Sequence, residues 1–176
     1  MNISKKIVEV ASRYVGIREI PQNAGWKNKD FEKKMRDMGW IKGQAWCMYF
    51  VKLVLIEAFQ ELKNDDMVKW CKANLNGGVL SSYRKMKSKW ELLGVDNAEE
   101  GSIGIMRKGD SELGHAFIVE SVNNDVIKCI EGNTSVAGSR EGDGVYRRTR
   151  MLSYMKKSEL KIIDFVRVKY DNARNI

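Results

Sequence analysis

Residues 44–62 read Q-A-W-C-M-Y-F-V-K-L-V-L-I-E-A-F-Q-E-L. From Trp46 or Cys47 to about Leu62 the segment is apolar around much of its circumference, through Phe50, Val51, Leu53, Val54, Leu55, Ala58, Phe59 and Leu62. A surface helix carries one apolar stripe, whereas a helix that is apolar on most sides must be enclosed by the rest of the fold. The segment therefore predicts a buried central helix, and it places a cysteine at the start of that helix.

Working outward, the N-terminal side is helical. Ser4 can cap a helix to about Val15, with Ile7, Val10, Ala11, Tyr14 and Val15 on one face and Gly16 as a stop. Pro21 to Trp26 reads as a loop. Asp30 can cap a second helix, with Phe31, Met35 and Met38 at helical spacing before Gly39. After the central helix, shorter helical stretches are expected near 65–74 and 81–89, separated by Asn76-Gly77-Gly78. The pattern then switches to period two. Strands are predicted at about 102–107, 115–122, 126–132, 144–150 and 161–169, with turns at Gly109-Asp110 and Asn123-Asn124-Asp125. Helices first and antiparallel strands second make an α+β fold, with N-terminal helices packed on an antiparallel β-sheet. Residues 133–143 read as a mobile loop after the third strand.

With 176 residues, 43% of them hydrophobic, the chain suffices for one core, and 1–176 is read as a single domain. The N-terminus has no continuous apolar region, because Glu9 and Arg13 interrupt it, so no signal peptide is expected. The longest apolar run is too short for a transmembrane segment. A net charge of +8 favours polyanionic partners. Charge does not separate nucleic acid, anionic envelope polymers and anionic membranes, but Lys and Arg are spread along the chain, which argues against a dedicated nucleic-acid groove. Three cysteines and one histidine fit neither a disulfide framework nor a zinc motif, and Cys71 and Cys129 read as reduced, dispensable thiols.

Cys47 differs from those two in its position. A cysteine that attacks a carbonyl carbon must be a thiolate at working pH, and the N–H groups at a helix start lower its pKa. It also needs a base, most often histidine, and a group that orients the base. Residues 114–119, G-H-A-F-I-V, hold the only histidine at the opening of an expected strand. In the next strand, V-I-K-C-I-E-G-N (126–133), Glu131 and Asn133 share a face. If Val122 pairs with Val126 across a three-residue turn, His115 faces Asn133 and Phe117 faces Glu131, so a carboxylate and an amide come within reach of the imidazole. Taken singly, each residue has an ordinary explanation: packing for Cys47, a satisfied strand histidine, a solvated strand-end charge and a turn former. Taken together, those explanations require four coincidences.

The blocks W-C-M-Y-F-V (46–51), G-H-A-F-I-V (114–119) and I-E-G-N-T (130–134) resemble the signature blocks of the CHAP domain, the cysteine- and histidine-dependent amidohydrolase/peptidase family. G-S-I-G-I (101–105) resembles the family's Gly-Asp-apolar block, with Ser102 in place of Asp, a departure expected to touch only a structural turn. A-S-R-Y-V-G-I-R-E-I (11–20) resembles the entry segment of phage-type members. The resemblance implies a papain-like α+β fold and hydrolysis of amide bonds in peptidoglycan. It makes Cys47 the nucleophile, His115 the base, Glu131 the group that orients His115, and Asn133 a supporting polar group. The Cys47 N–H is then an oxyanion donor, with Gln44 a candidate for the second. This chemistry needs no metal and no cofactor, and a monomer is the expected state.

Without a signal peptide, the context implied first is a bacteriophage endolysin. A virion-associated wall hydrolase and an injected antibacterial effector share the same enzymology. Outside the enzyme class stand a nucleic-acid-binding protein, which the even charge spread disfavours, and an inactive virion structural protein, which the unbroken residue set disfavours. An N-acetylmuramoyl-L-alanine amidase and a stem or cross-bridge endopeptidase would use the same four residues. The choice between them falls to loops around 17–30, 74–82 and 133–143.

Overall fold

The computed structural model describes residues 2–134 and 142–169. The elements run α1 (Ile3–Ser12), α2 (Lys29–Asp37), α3 (Cys47–Glu61), α4 (Asp65–Asn74), α5 (Val79–Lys87), β1 (Glu91–Gly94), β2 (Ile103–Lys108), β3 (Gly114–Asn123), β4 (Val126–Thr134), β5 (Gly144–Met151), α6 (Leu152–Met155) and β6 (Leu160–Arg167). The strands form one antiparallel sheet in the order β1-β6-β2-β3-β4-β5. The architecture is α+β, with helices first in the chain and the sheet after them. Among the described residues, no helix is long and apolar enough to cross a membrane.

Three helices start on asparagine. The side-chain oxygens of Asn2, Asn28 and Asn64 accept the N–H groups of Ser4, Phe31 and Met67 at the starts of α1, α2 and α4. The chain thus enters α1 and α2 earlier than caps at Ser4 and Asp30 would give, because an asparagine two residues upstream is an equally strong cap. Helix α1 also ends at Ser12, short of Val15. Helix α3 is the enclosed one: every residue from Cys47 to Ile56 is buried, including Lys52, whose amine donates to the Met38 carbonyl at 3.1 Å.

The sheet carries a core on each face. Ile103, Ile105, Ala116, Ile118, Ile130 and Val166 pack with the helices. Met106, Phe117, Val119, Ile127, Cys129 and Phe165 form a second cluster, joined by Leu152 and Met155 of α6. Strand β1, which pairs with β6 at one edge, was not expected: four residues are too few to display an alternating pattern. Ser102 does the work of a turn, since its hydroxyl donates to the Glu99 carbonyl at 2.6 Å and accepts the Glu99 N–H at 3.2 Å.

The β3–β4 hairpin reaches the expected register by a different route. Val122 pairs with Ile127 and Asn123 with Val126, so the turn has two residues, Asn124-Asp125, and not three. An irregularity between Val119 and Ser121, at Glu120, then takes up one residue, and Ile118 pairs with Ile130. That is the pairing a three-residue turn without a bulge would have produced. Gly132 of β4 lets α3 lie directly on the strand, because a Cβ there would sit 2.7 Å from both Phe50 and Trp46.

Candidate active site

The site begins with Trp46, the residue before the α3 start. Its ring is fully buried among Trp26, Phe31 and Phe50, with centroids 5.1, 6.1 and 6.5 Å away, and its indole N–H donates to the Glu19 carboxylate. Trp46 occupies the cap position without a side-chain hydrogen bond to the helix. The first turn of α3 therefore lacks the internal acceptor that asparagine gives α1, α2 and α4. The acceptor present there is the Cys47 thiol, which interacts with the backbone N–H groups of Met48 and Ala116 and with the His115 ring.

His115 lies at the second position of β3, and its Nε2 is 2.8 Å from Glu131 Oε2. The other ring nitrogen, Nδ1, is then the one left to face the thiol. Glu131 is completely buried. Arg150 of β5 holds it with a two-point fork, Nε to Oε1 at 2.5 Å and Nη2 to Oε2 at 2.8 Å. The Cys129 thiol donates to Oε1 at 2.9 Å. Cys129, expected to be a bystander, is thus in contact with the carboxylate.

The charges reinforce one another. Burial pushes the Cys47 thiol up, but the hydrogen bond and charge of His115 and the two backbone N–H groups outweigh it, so the net shift is downward. Burial pulls His115 down, while its hydrogen bonds to Cys47 and Glu131 and their charges raise it to about 9. Burial alone would raise Glu131, yet the bonds to Arg150 and His115 hold it well below the usual carboxylate range. The other thiols move the opposite way: burial raises Cys71 to about 12, and burial beside the Glu131 charge raises Cys129. A lowered thiol against a raised imidazole is the electrostatic pattern of a thiolate–imidazolium pair.

Of the residues singled out from sequence, the structure brings together Cys47, His115 and Glu131. Asn133 stands at the same end of β4, in a left-handed conformation with φ of 54°. Its side-chain oxygen is buried and has no hydrogen-bond partner among the described residues. Gln44 is exposed; its side-chain oxygen accepts the Tyr49 hydroxyl at 3.0 Å and the Ile41 N–H at 3.4 Å, so the amide NH₂ is the end it offers outward. Gln44, Ala45, Tyr49, Asn76, Gly77 and Gly78 line a cleft of about 350 Å³ beside the residues that lead into Cys47. Gly77 is required there, because a Cβ would lie 2.2 Å from the Tyr49 ring. The loop at 74–82, expected to help shape the substrate groove, contributes part of this cleft. Residues 135–141 of the 133–143 loop lie outside the described residues. Among the described residues, no cluster of His, Cys, Asp or Glu is arranged to hold a metal ion.

Arg150 was not among the sequence-derived candidates. Arg147, Arg148 and Arg150 offer three cations within four residues, and a connection from Thr134 to Gly144 is too long to fix the β4–β5 register by counting. Nothing in the sequence alone chooses among them.

The family model for the CHAP domain matches residues 37–133. No curated protein matches the sequence. Among solved structures, one described as "The crystal structure of Ly7917" matches with a TM-score of 0.44 and 10% sequence identity, covering 94% of this chain and 62% of that one. The chain therefore spans about three-fifths of that structure's length. The family match covers more than half of the chain and runs through Cys47, His115, Glu131 and Asn133. On that match the chain belongs to the CHAP-domain family, the cysteine- and histidine-dependent amidohydrolases and peptidases of papain-like α+β fold.

Proposed function

We propose that the chain is a peptidoglycan hydrolase that cleaves an amide bond through a Cys47 acyl-enzyme. The observation that supports this reading is the continuous contact from the Cys47 thiol through His115 to the buried Glu131. The Cys47 thiolate attacks the scissile carbonyl carbon, forming a C–S bond and a tetrahedral oxyanion. The Cys47 N–H and the Gln44 amide NH₂ are the proposed donors to that oxygen. The imidazolium of His115 gives its proton to the leaving amine as the C–N bond breaks. His115, now neutral, takes a proton from water, which attacks the thioester and releases the acid and the thiolate. Glu131 keeps the ring oriented and stabilises its charged form.

The context we propose is a bacteriophage endolysin, made in the host cytoplasm and acting on the wall after release. Carriage in a virion, or injection as an effector, is the alternative. The chain would act as a monomer without cofactor, and its net charge of +8 would hold it to anionic envelope polymers, so that activity falls as salt is added. A turbidity assay on purified cell walls tests the reading, with Cys47→Ala as the control. Clearing by the parent and none by the variant is the expected result; equal clearing by both would refute it. Mass spectrometry of the released fragments separates the two bond types. An amidase frees the stem peptide from its sugar, and an endopeptidase leaves that link intact.

A further inference from the structure

We infer that Arg150 is a positioning residue of this site: its guanidinium fixes the place and the charge of the Glu131 carboxylate, and through it sets the pH range in which Cys47 and His115 form their ion pair. The inference rests on the reading of Cys47 and His115 given above.

The geometry is specific. Glu131 is completely buried, and three side chains from three strands converge on it: His115 from β3, Cys129 from its own strand β4, and Arg150 from β5. Cys47, from α3, lies beyond His115. Oε2 is shared between the imidazole and the guanidinium, while Oε1 takes the second arm of the fork and the Cys129 thiol. A carboxylate held at both oxygens cannot rotate away from the ring it orients. The guanidinium is itself located by packing, with its central carbon 5.5 Å from the centroid of Phe117, whose ring neighbours His115 at 6.4 Å.

The charge argument follows from the same contacts. A buried carboxylate facing only an imidazole can take up a proton and lose its hold on the ring. Arginine supplies a cation that does not titrate in the working range. Removing that positive charge lets Glu131 hold its proton to higher pH, and, with Glu131 still ionised where the ring titrates, His115 and Cys47 also retain their protons to higher pH. A purely structural arginine would, on removal, lower stability or activity without moving the titrations.

The lone histidine makes the test direct. The imidazole C–H resonances of His115 are followed by NMR across pH in parent, Arg150→Gln and Arg150→Lys, with the pH dependence of Cys47 alkylation by iodoacetamide measured beside them and circular dichroism reporting the fold. Arg150→Gln should shift both midpoints upward by about one unit. Arg150→Lys keeps the charge but loses the fork, and should reverse most of the shift while turnover on cell walls stays below the parent's. Unmoved midpoints in a folded Arg150→Gln, or a lysine variant shifted as far as the glutamine one, would overturn the inference. If Arg150→Gln does not fold, the comparison of Glu131→Gln with Glu131→Gln/Arg150→Gln replaces it, because the double variant leaves no buried unpaired charge. The single variant leaves the guanidinium unopposed beside His115, and the double should return the His115 midpoint upward by about one unit; coincident midpoints would refute the role. Alkylation of the parent at the pH of a free thiol, about 8.5, would instead defeat the nucleophile reading itself. A depressed parent midpoint that ignores Arg150 defeats only the present inference.

Discussion

Among the three buried cysteines, only Cys47 is drawn toward ionisation, and the cause is its neighbours and not its exposure. The ion pair with His115 is the major form between the lowered thiol and an imidazole raised to about 9. Wall hydrolysis should therefore fall as pH rises through about 9, where the leaving amine loses its proton donor. The sign for stability is the same. A histidine raised above its unfolded value adds stability that is complete below about 6.5 and vanishes as pH rises through the folded value. His115→Ala should abolish turnover in a folded protein and move Cys47 alkylation to higher pH. Glu131→Gln should lower turnover by roughly one to three orders of magnitude. The other thiols should separate in the same assays. Cys71→Ser, at a buried site without a catalytic contact, should cost on the order of 1–3 kcal/mol in urea denaturation and leave specific activity unchanged. Cys129→Ala removes a donor to Glu131 and should lower specific activity as well.

At the scale of elements, helix and sheet are placed by contacts closer than side chains normally allow. Gly132→Ala would drive a methyl group into Phe50 and Trp46. It should cost about 1–3 kcal/mol in urea denaturation and reduce wall hydrolysis in the folded fraction, since the displaced element carries Cys47, the proposed nucleophile. Much of this level was legible beforehand. The apolar run from Phe50 to Phe59 could only be an enclosed helix, and alternation located five of the six strands. What escaped notice had physical reasons. Asn2 and Asn28 cap as well as the residues expected to do so, so composition did not choose between them. The two-residue turn and the bulge at Glu120 are separate departures from the expected hairpin that cancel before the strands reach Ile118 and Ile130. The His115–Glu131 contact was readable because strand parity and one hairpin determine it. Arg150 was not, because it arrives across a connection whose length leaves register open.

For the molecule as a whole, the bare start of α3 ties folding to catalysis. Three helices carry their own acceptor in an asparagine, and α3 has a tryptophan in that place. At rest the Cys47 thiol is the acceptor at that first turn, and under the proposed mechanism the tetrahedral oxygen would be a second one. The substrate in transit would, in this sense, add a piece to the fold. A peptide aldehyde that adds reversibly to Cys47 would supply such an oxygen for as long as it stays bound, as a hemithioacetal at the helix start. It should raise the melting temperature with its concentration, in the logarithmic manner of any ligand that binds only the native state. The same aldehyde should leave the melting of Cys47→Ala where it was, and an equal rise in that variant would break the link. Installing asparagine at position 46 would probe the converse: the helix start would gain its own acceptor and lose its indole anchor, leaving less for a transition state to complete.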